Sequence, residues 1–309
     1  MKKSALLIVI LYSIFPAFSQ EKWATKDEII SNLPIMKAIP GGVFSMGTDI
    51  FASKSEQGAA PAHRVELSSF IMAETLVTQR LWDLFIQDTG YRGYSYYHGY
   101  YGTVEKNSLG PNSPAIFMTW SEAVVFCNWL SERLGLSPAY SISGKLNPEL
   151  RGGIEAQWIR GANGYRLITE AEWEYVMYER GSSRETLLEI YKDAFSRPQQ
   201  KPLSEARNGQ LTRFNIMTCT NFGISDMTWD EHGSFTNEPQ KDPIGLSGLY
   251  SVGQWKVRRF FIGPILYNRL SMKIADNEGG FIGIRLAQDR QRKASVAIAA
   301  CASVRNGLR

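Results

Sequence analysis

Thr119-Trp120-Ser121-Glu122 opens, and Gly135 closes, a stretch with apolar residues at Ala123, Phe126, Cys127 and Leu130. A hydroxyl residue followed three positions later by a carboxylate forms a capping box, because each side chain satisfies the other's orphan backbone N–H, and glycine readily takes the left-handed turn at a helix end. The pattern predicts a helix from Ser121 to Leu134. The same grammar recurs at Thr169-Glu170-Ala171-Glu172, predicting a helix through Tyr178 that ends near Gly181. A third helix is predicted from Thr78 to about Gln87, with Leu81, Trp82 and Phe85 inward. Short strand-like pieces surround them at Val43 to Met46, Arg64 to Met72 and Phe281 to Ala287. Long aromatic and glycine-rich loops lie between, notably Tyr91 to Tyr101. Few helices, scattered strands and long loops predict an α+β fold.

The chain has 309 residues, 44% hydrophobic and 21% charged, enough apolar surface to bury a core and too much for a disordered class. Lys2 and Lys3 precede the apolar run Ala5 to Phe15, which is followed by Pro16 and Ala17-Phe18-Ser19. A basic start, a short apolar stretch and small residues before a cleavage point make a secretory signal peptide. Residues 1–19 are therefore expected to be removed, leaving a chain from Gln20 that is exported to the periplasm or the exterior. Residues 20–38 read as a lead-in, 39–287 as one domain, and 288–309 as a basic, disordered tail carrying Arg290, Arg292, Lys293, Arg305 and Arg309 against Asp289. No later segment reaches the roughly 20 apolar residues of a membrane helix, so no membrane span is expected.

The two ends carry more positive charge than the formal total of +4 and leave residues 20–287 slightly acidic, so no nucleic-acid surface is expected on the body. Three cysteines, Cys127, Cys219 and Cys301, allow at most one internal disulfide. Cys127, mid-helix among apolar neighbours, reads as a buried small hydrophobe. His63, His98 and His232 lack the spacing of a histidine metal site.

Gly41-Gly42-Val43-Phe44-Ser45-Met46-Gly47, then Glu56 with Pro61-Ala62-His63-Arg64-Val65, then Val77-Thr78 ahead of Trp82 and Phe85, form one ordered series. It continues through Pro114, Trp120-Ser121-Glu122-Ala123, Phe126-Cys127-Asn128-Trp129-Leu130, Gly164-Tyr165-Arg166-Leu167 and Thr169 to Tyr175. Asn221-Phe222-Gly223-Ile224-Ser225-Asp226-Met227 and a closing Gly283-Ile284-Arg285 complete it. In order and spacing, across about residues 39 to 287, the series resembles the formylglycine-generating enzyme family, also called sulfatase-modifying factors. The resemblance implies a single domain of C-type-lectin-like architecture, with long loops around a small sheet and two helices.

The resemblance also says what is missing. The family's enzymes hold copper with two cysteines a few residues apart, and soft thiolates are not readily replaced in a Cu(I) site. If Gly253-Gln254-Trp255 occupies the family's Gly-Ser-Trp slot, those cysteines fall near Val257 and Ile262, and the whole stretch 245–285 contains no cysteine. Copper-dependent oxidase activity is therefore not expected. A calcium site of the family is implied at Asp226, with Asp230 or Glu231 as substitute donors and Asn208 in a second site. The alternative, acidic loop residues facing water, stays open.

Trp255 to Arg269 lies where the family builds its active-site groove, and it alternates guanidinium with aromatic and aliphatic side chains. Trp255, Arg258, Arg259, Phe261, Tyr267 and Arg269 are the candidate ligand-binding residues, since Arg, Tyr and Trp carry binding energy when desolvated. Core strand residues at Phe260, Ile262 and Leu266 are the competing reading. The expected function is an exported, non-catalytic module that binds a protein, peptide or surface ligand. The alternatives are an enzyme with altered chemistry at Asp226, Glu231 and His232, or an envelope structural component.

Overall fold

The computed structural model describes residues 23–47, 49, 60–91, 111–116, 118–147, 152–177, 212–217, 224–231, 235–245, 255–259, 269–273 and 282–290. Its helices are α1 (Lys26–Asn32), α2 (Gln79–Thr89), α3 (Trp120–Leu134) and α4 (Glu170–Met177). Its strands begin with β1 (Met36–Ile39), β2 (Gly42–Met46), β3 (His63–Leu67), β4 (Phe70–Ala73), β5 (Tyr140–Asn147) and β6 (Gly152–Trp158). They continue with β7 (Arg166–Leu167), β8 (Ser225–Glu231), β9 (Gln240–Lys241), β10 (Trp255–Arg259), β11 (Arg269–Lys273), β12 (Ile282–Ile284) and β13 (Leu286–Asp289). This is the α+β arrangement that the caps and short apolar runs predict. None of the described helices is long and apolar enough to cross a membrane.

The helices start and stop where local chemistry requires it. Thr119 Oγ1 accepts from Glu122 N at 3.2 Å while Glu122 Oε2 accepts from Thr119 N at 2.6 Å, and Gly135 closes α3 at φ 77°. Thr169 and Glu172 repeat the reciprocal pair at 2.9 and 3.1 Å on α4. Thr78 caps α2, which ends on Gly90 at φ 64°. Because Thr119 is buried and its cap has no water to replace it, Thr119→Ala is expected to cost about 1 kcal/mol, read as a lower midpoint in urea unfolding.

Two four-stranded sheets organise the body, in the orders β1-β4-β13-β7 and β11-β10-β8-β12. β2-β3-β9 and the hairpin β5-β6 flank them. Two stretches expected as single strands each break in two. Between β3 and β4 the chain turns at Ser68, whose N–H and Oγ donate to the two Asp242 carboxylate oxygens at 2.6 and 2.8 Å. Between β12 and β13 it passes from one large sheet to the other at Arg285, which is fully buried. Residues 23–38, expected as a lead-in, contribute α1 and β1, and β1 pairs antiparallel with β4 along its whole length. In the hairpin, Gly144 sits at φ 84° where a β-carbon would collide with the Gly153 carbonyl, so neither the torsion nor the space admits a side chain.

The core forms two clusters. In one, α2 and α3 bring together Trp82, Phe85, Phe126 and Trp129, with ring centroids 5.1 to 5.6 Å apart. Within this cluster Cys127 is fully buried, and burial pushes its thiol pKa far up, so it behaves as a packing residue. In the other, Ile39, Phe44, Val65 and Phe70 of the small strands pack against Trp173, Tyr175 and Val176 of α4.

Candidate functional site

The stretch expected to form a groove begins as β10, an interior strand between β8 and β11. Its register places Trp255 opposite Lys273, Arg258 opposite Leu270 and Arg259 opposite Arg269 on β11. On its other side Lys256 stands opposite Glu231, Arg258 opposite Met227 and Arg259 opposite Asp226 on β8. Asp226, Arg259 and Arg269 thus share one row across three strands. The register shifts between Lys256 and Arg258, where the run from Glu231 to Met227 on β8 opposes a shorter run on β10, so the extra residues belong to β8. Such bulges bend a strand and re-aim its side chains. Phe261 and Tyr267, with Ile262, lie outside the described residues, as does Asn208.

Beside β10 in the same sheet, β8 is a buried strand and not the water-facing acidic loop that stood as the alternative to a calcium site. Ser225 to Asp230 are all buried, and the carboxylates of Asp226 and Asp230 are met there by donors from distant segments. Asp226 Oδ1 accepts from Arg285 Nε at 2.6 Å and Oδ2 from Trp173 Nε1 at 3.1 Å. Asp230 Oδ2 accepts from Glu170 N at 2.6 Å, at the start of α4, where the helix dipole favours a carboxylate. Trp229 stacks on Tyr140 at 4.7 Å and 12°.

Both Asp226 oxygens are thus engaged by donors of the protein itself. Among the described residues no group of three or more His, Cys, Asp and Glu is arranged to hold a metal ion. Cys127 is the one cysteine among them, and it is a neutral thiol in an apolar core. These donors do not fit a bis-thiolate copper centre.

A second ionic knot braces the site from the side. Arg166 donates from both terminal nitrogens to the Glu172 carboxylate at 2.7 and 2.8 Å and from Nε to Asp289 at 2.8 Å. Those paired carboxylates hold its guanidinium charged against the opposing effect of burial, and its pKa lies above the usual arginine value. Glu172 therefore serves the α4 cap and the Arg166 pair at once. Neither Arg166 nor Arg285 stood out as a site residue in the sequence, although both close recognisable motifs, Gly164-Tyr165-Arg166 and Gly283-Ile284-Arg285.

Comparisons with known proteins agree with this architecture. Residues 22–205 match the sulfatase-modifying factor enzyme 1-like domain family. A formylglycine-generating enzyme of Thermomonospora curvata is 31% identical over 153 residues, covering 45% of this chain and 47% of the relative. The chaperone protein LppX of Paenibacillus barcinonensis is 28% identical over 145 residues, covering 44% of this chain and 42% of the relative. The chain thus spans about half the length of the curated relatives it matches. Among solved structures, Treponema denticola variable protein 1 superposes with a TM-score of 0.58 at 20% identity, covering 82% of this chain and 95% of that one, and so shares the fold.

Proposed function

Since the chain belongs to the sulfatase-modifying factor family, we propose that it is an exported, non-catalytic member of it, which uses the region of 255–269 to bind a protein, peptide or surface ligand. The observation that carries this reading is a retained scaffold without the sulfur donors: the helix caps and strand pairing are intact, while residues 245–285 contain no cysteine. Soft thiolates are what make Cu(I) available for oxygen chemistry, and hydrocarbon at Val257 and Ile262 supplies none. A relative named as a chaperone is compatible with a family scaffold used for holding rather than for oxidising.

The row formed by Arg259 and Arg269 supports binding of an acidic partner. The register puts two arginines in one row, and the acidic position of that row, Asp226, is already paired with Arg285, so the row carries a surplus of basic residues that suits an acidic partner. Calcium at Asp226 is not part of this reading, since both oxygens there already accept from Arg285 and Trp173. Export rests on the basic and apolar pattern of residues 1–19.

The test is a copper titration of the purified full-length protein, with a sulfatase-derived cysteine peptide as oxidation substrate. No thiolate–copper absorption and no peptide oxidation are expected. Either signal with turnover overturns the non-catalytic reading. Partner capture should then fail for Arg258→Ala and Tyr267→Ala, and capture unchanged in both moves the binding surface away from 255–269.

A further inference from the structure

A cleft of about 240 Å³ lies beside the Ser68 turn, walled by Trp158, Arg160, Arg166, Asp242, Asp289 and Arg290. Its carboxylates are already engaged by the wall. Asp242 accepts twice from Ser68, and Asp289 accepts from Arg166 Nε and from Gly161 N at 3.1 Å. Glu172, at the floor, accepts from Arg166 with both oxygens. Arg166 is consumed in the same network.

The donors at the mouth are not. Arg160 is exposed, with one long bond from Nη2 to the Asp242 carbonyl at 3.3 Å, and its guanidinium lies 4.7 Å over the Trp158 ring. Arg290, also exposed, has no ion-pair or hydrogen-bond partner among the described residues. Acceptors in use and two guanidiniums to spare make a cleft that is rich in donors, beside an aromatic surface. Counting every wall charge, three arginines face Asp242, Asp289 and Glu172, so the field inside is nearly balanced. A balanced field with two forked donors suits a planar monoanion better than a compact dianion. The volume falls below the roughly 300–1,000 Å³ of sites for larger organic ligands, so the guest is small.

We propose that this cleft is a binding site for a small carboxylate, held by the guanidiniums of Arg160 and Arg290 with its carbon skeleton against Trp158. The site is built from β6, the turn after β3 and the end of β13, and it contains none of residues 255–269. It therefore stands or falls separately from the partner-binding surface.

Benzoate is the probe, titrated into the full-length protein by calorimetry and by ligand-observed NMR, with benzamide and inorganic phosphate as comparison ligands. Benzoate is expected to bind in the millimolar range or tighter, and benzamide about tenfold more weakly or worse, because a hydrogen bond to a charged group is lost. Arg160→Gln and Arg290→Gln should each weaken benzoate by about tenfold while leaving the thermal midpoint unchanged, since both side chains are exposed. No benzoate binding at high millimolar concentration overturns the proposal. So does equal binding of benzamide, undiminished binding by the Arg160→Gln/Arg290→Gln double variant, or phosphate binding more tightly than benzoate.

Discussion

Arg285→Gln is expected to lower the free energy of unfolding by about 3–5 kcal/mol, the usual consequence of removing one partner from a buried ion pair. The side chain is fully buried and makes four hydrogen bonds. Nε meets Asp226 at 2.6 Å, Nη1 meets the carbonyls of Ala73 and Glu74 at 3.2 and 3.0 Å, and Nη2 meets the Met217 carbonyl at 3.0 Å. Those acceptors come from β8, from the end of β4 and from residue 217, segments far apart in sequence that converge on one guanidinium. Glutamine has one amide group and cannot reach them all, so the Asp226 carboxylate loses its guanidinium partner and keeps the Trp173 indole N–H in a dry interior. Against a total stability of roughly 5–15 kcal/mol for a folded domain, the loss is a large share of the whole. Denaturant unfolding of the variant measures it. An Asp226→Asn/Arg285→Gln double variant should recover part of the loss, because the uncompensated charge is then gone. A single-variant loss below about 1 kcal/mol would show that the guanidinium does not tie these segments together.

The second large effect is at Trp229. Trp229→Ala is expected to cost about 3–5 kcal/mol, the range for deleting a buried tryptophan. The indole is 1% exposed and faces three rings: Tyr140 at 4.7 Å, Trp120 at 5.1 Å and Trp158 at 6.1 Å. These belong to β5, α3 and β6, so one side chain of β8 fills the seam where the hairpin, the long helix and the central sheet meet. Trp229→Phe keeps a ring in the seam and should lose markedly less. Near-ultraviolet circular dichroism reports the stack directly, and an unchanged aromatic signal in the alanine variant would disprove the arrangement.

Much of the fold was legible because its signals are local. Thr119 with Glu122, Thr169 with Glu172 and the closing Gly135 act within one helical turn, so sequence spacing alone reveals them. The same signal was present at Thr25 and Glu28, where a capping box opens α1, but it lay in a segment read as lead-in. The hairpin partners Tyr140 and Trp158 each begin or end a run of alternating apolar residues, which also went unread. β8 was different in kind. A run of Asp226, Asp230 and Glu231 looks like a solvated loop until Arg285, Trp173 and the Glu170 amide are known to lie against it, and those are 53 to 60 positions away in the chain. Buried carboxylates are stabilised by partners, and distant partners cannot be read from neighbours. For the candidate surface, the sequence leaves groove and core strand open as competing readings of 255–269, and the Arg259–Arg269 row emerges only from the register.

β13 lies between β4 and β7 in the interior of its sheet, although it is formed by Leu286–Asp289. β4, made near residue 70, therefore has no neighbour on that side until more than two hundred further residues have been synthesised. At roughly 5–20 residues per second, the ribosome leaves that edge open for about ten seconds or longer. The nascent chain is thereby exposed to wrong strand pairing, and a fragment stopped short of Leu286 would keep the open edge permanently, as a template for association with copies of itself.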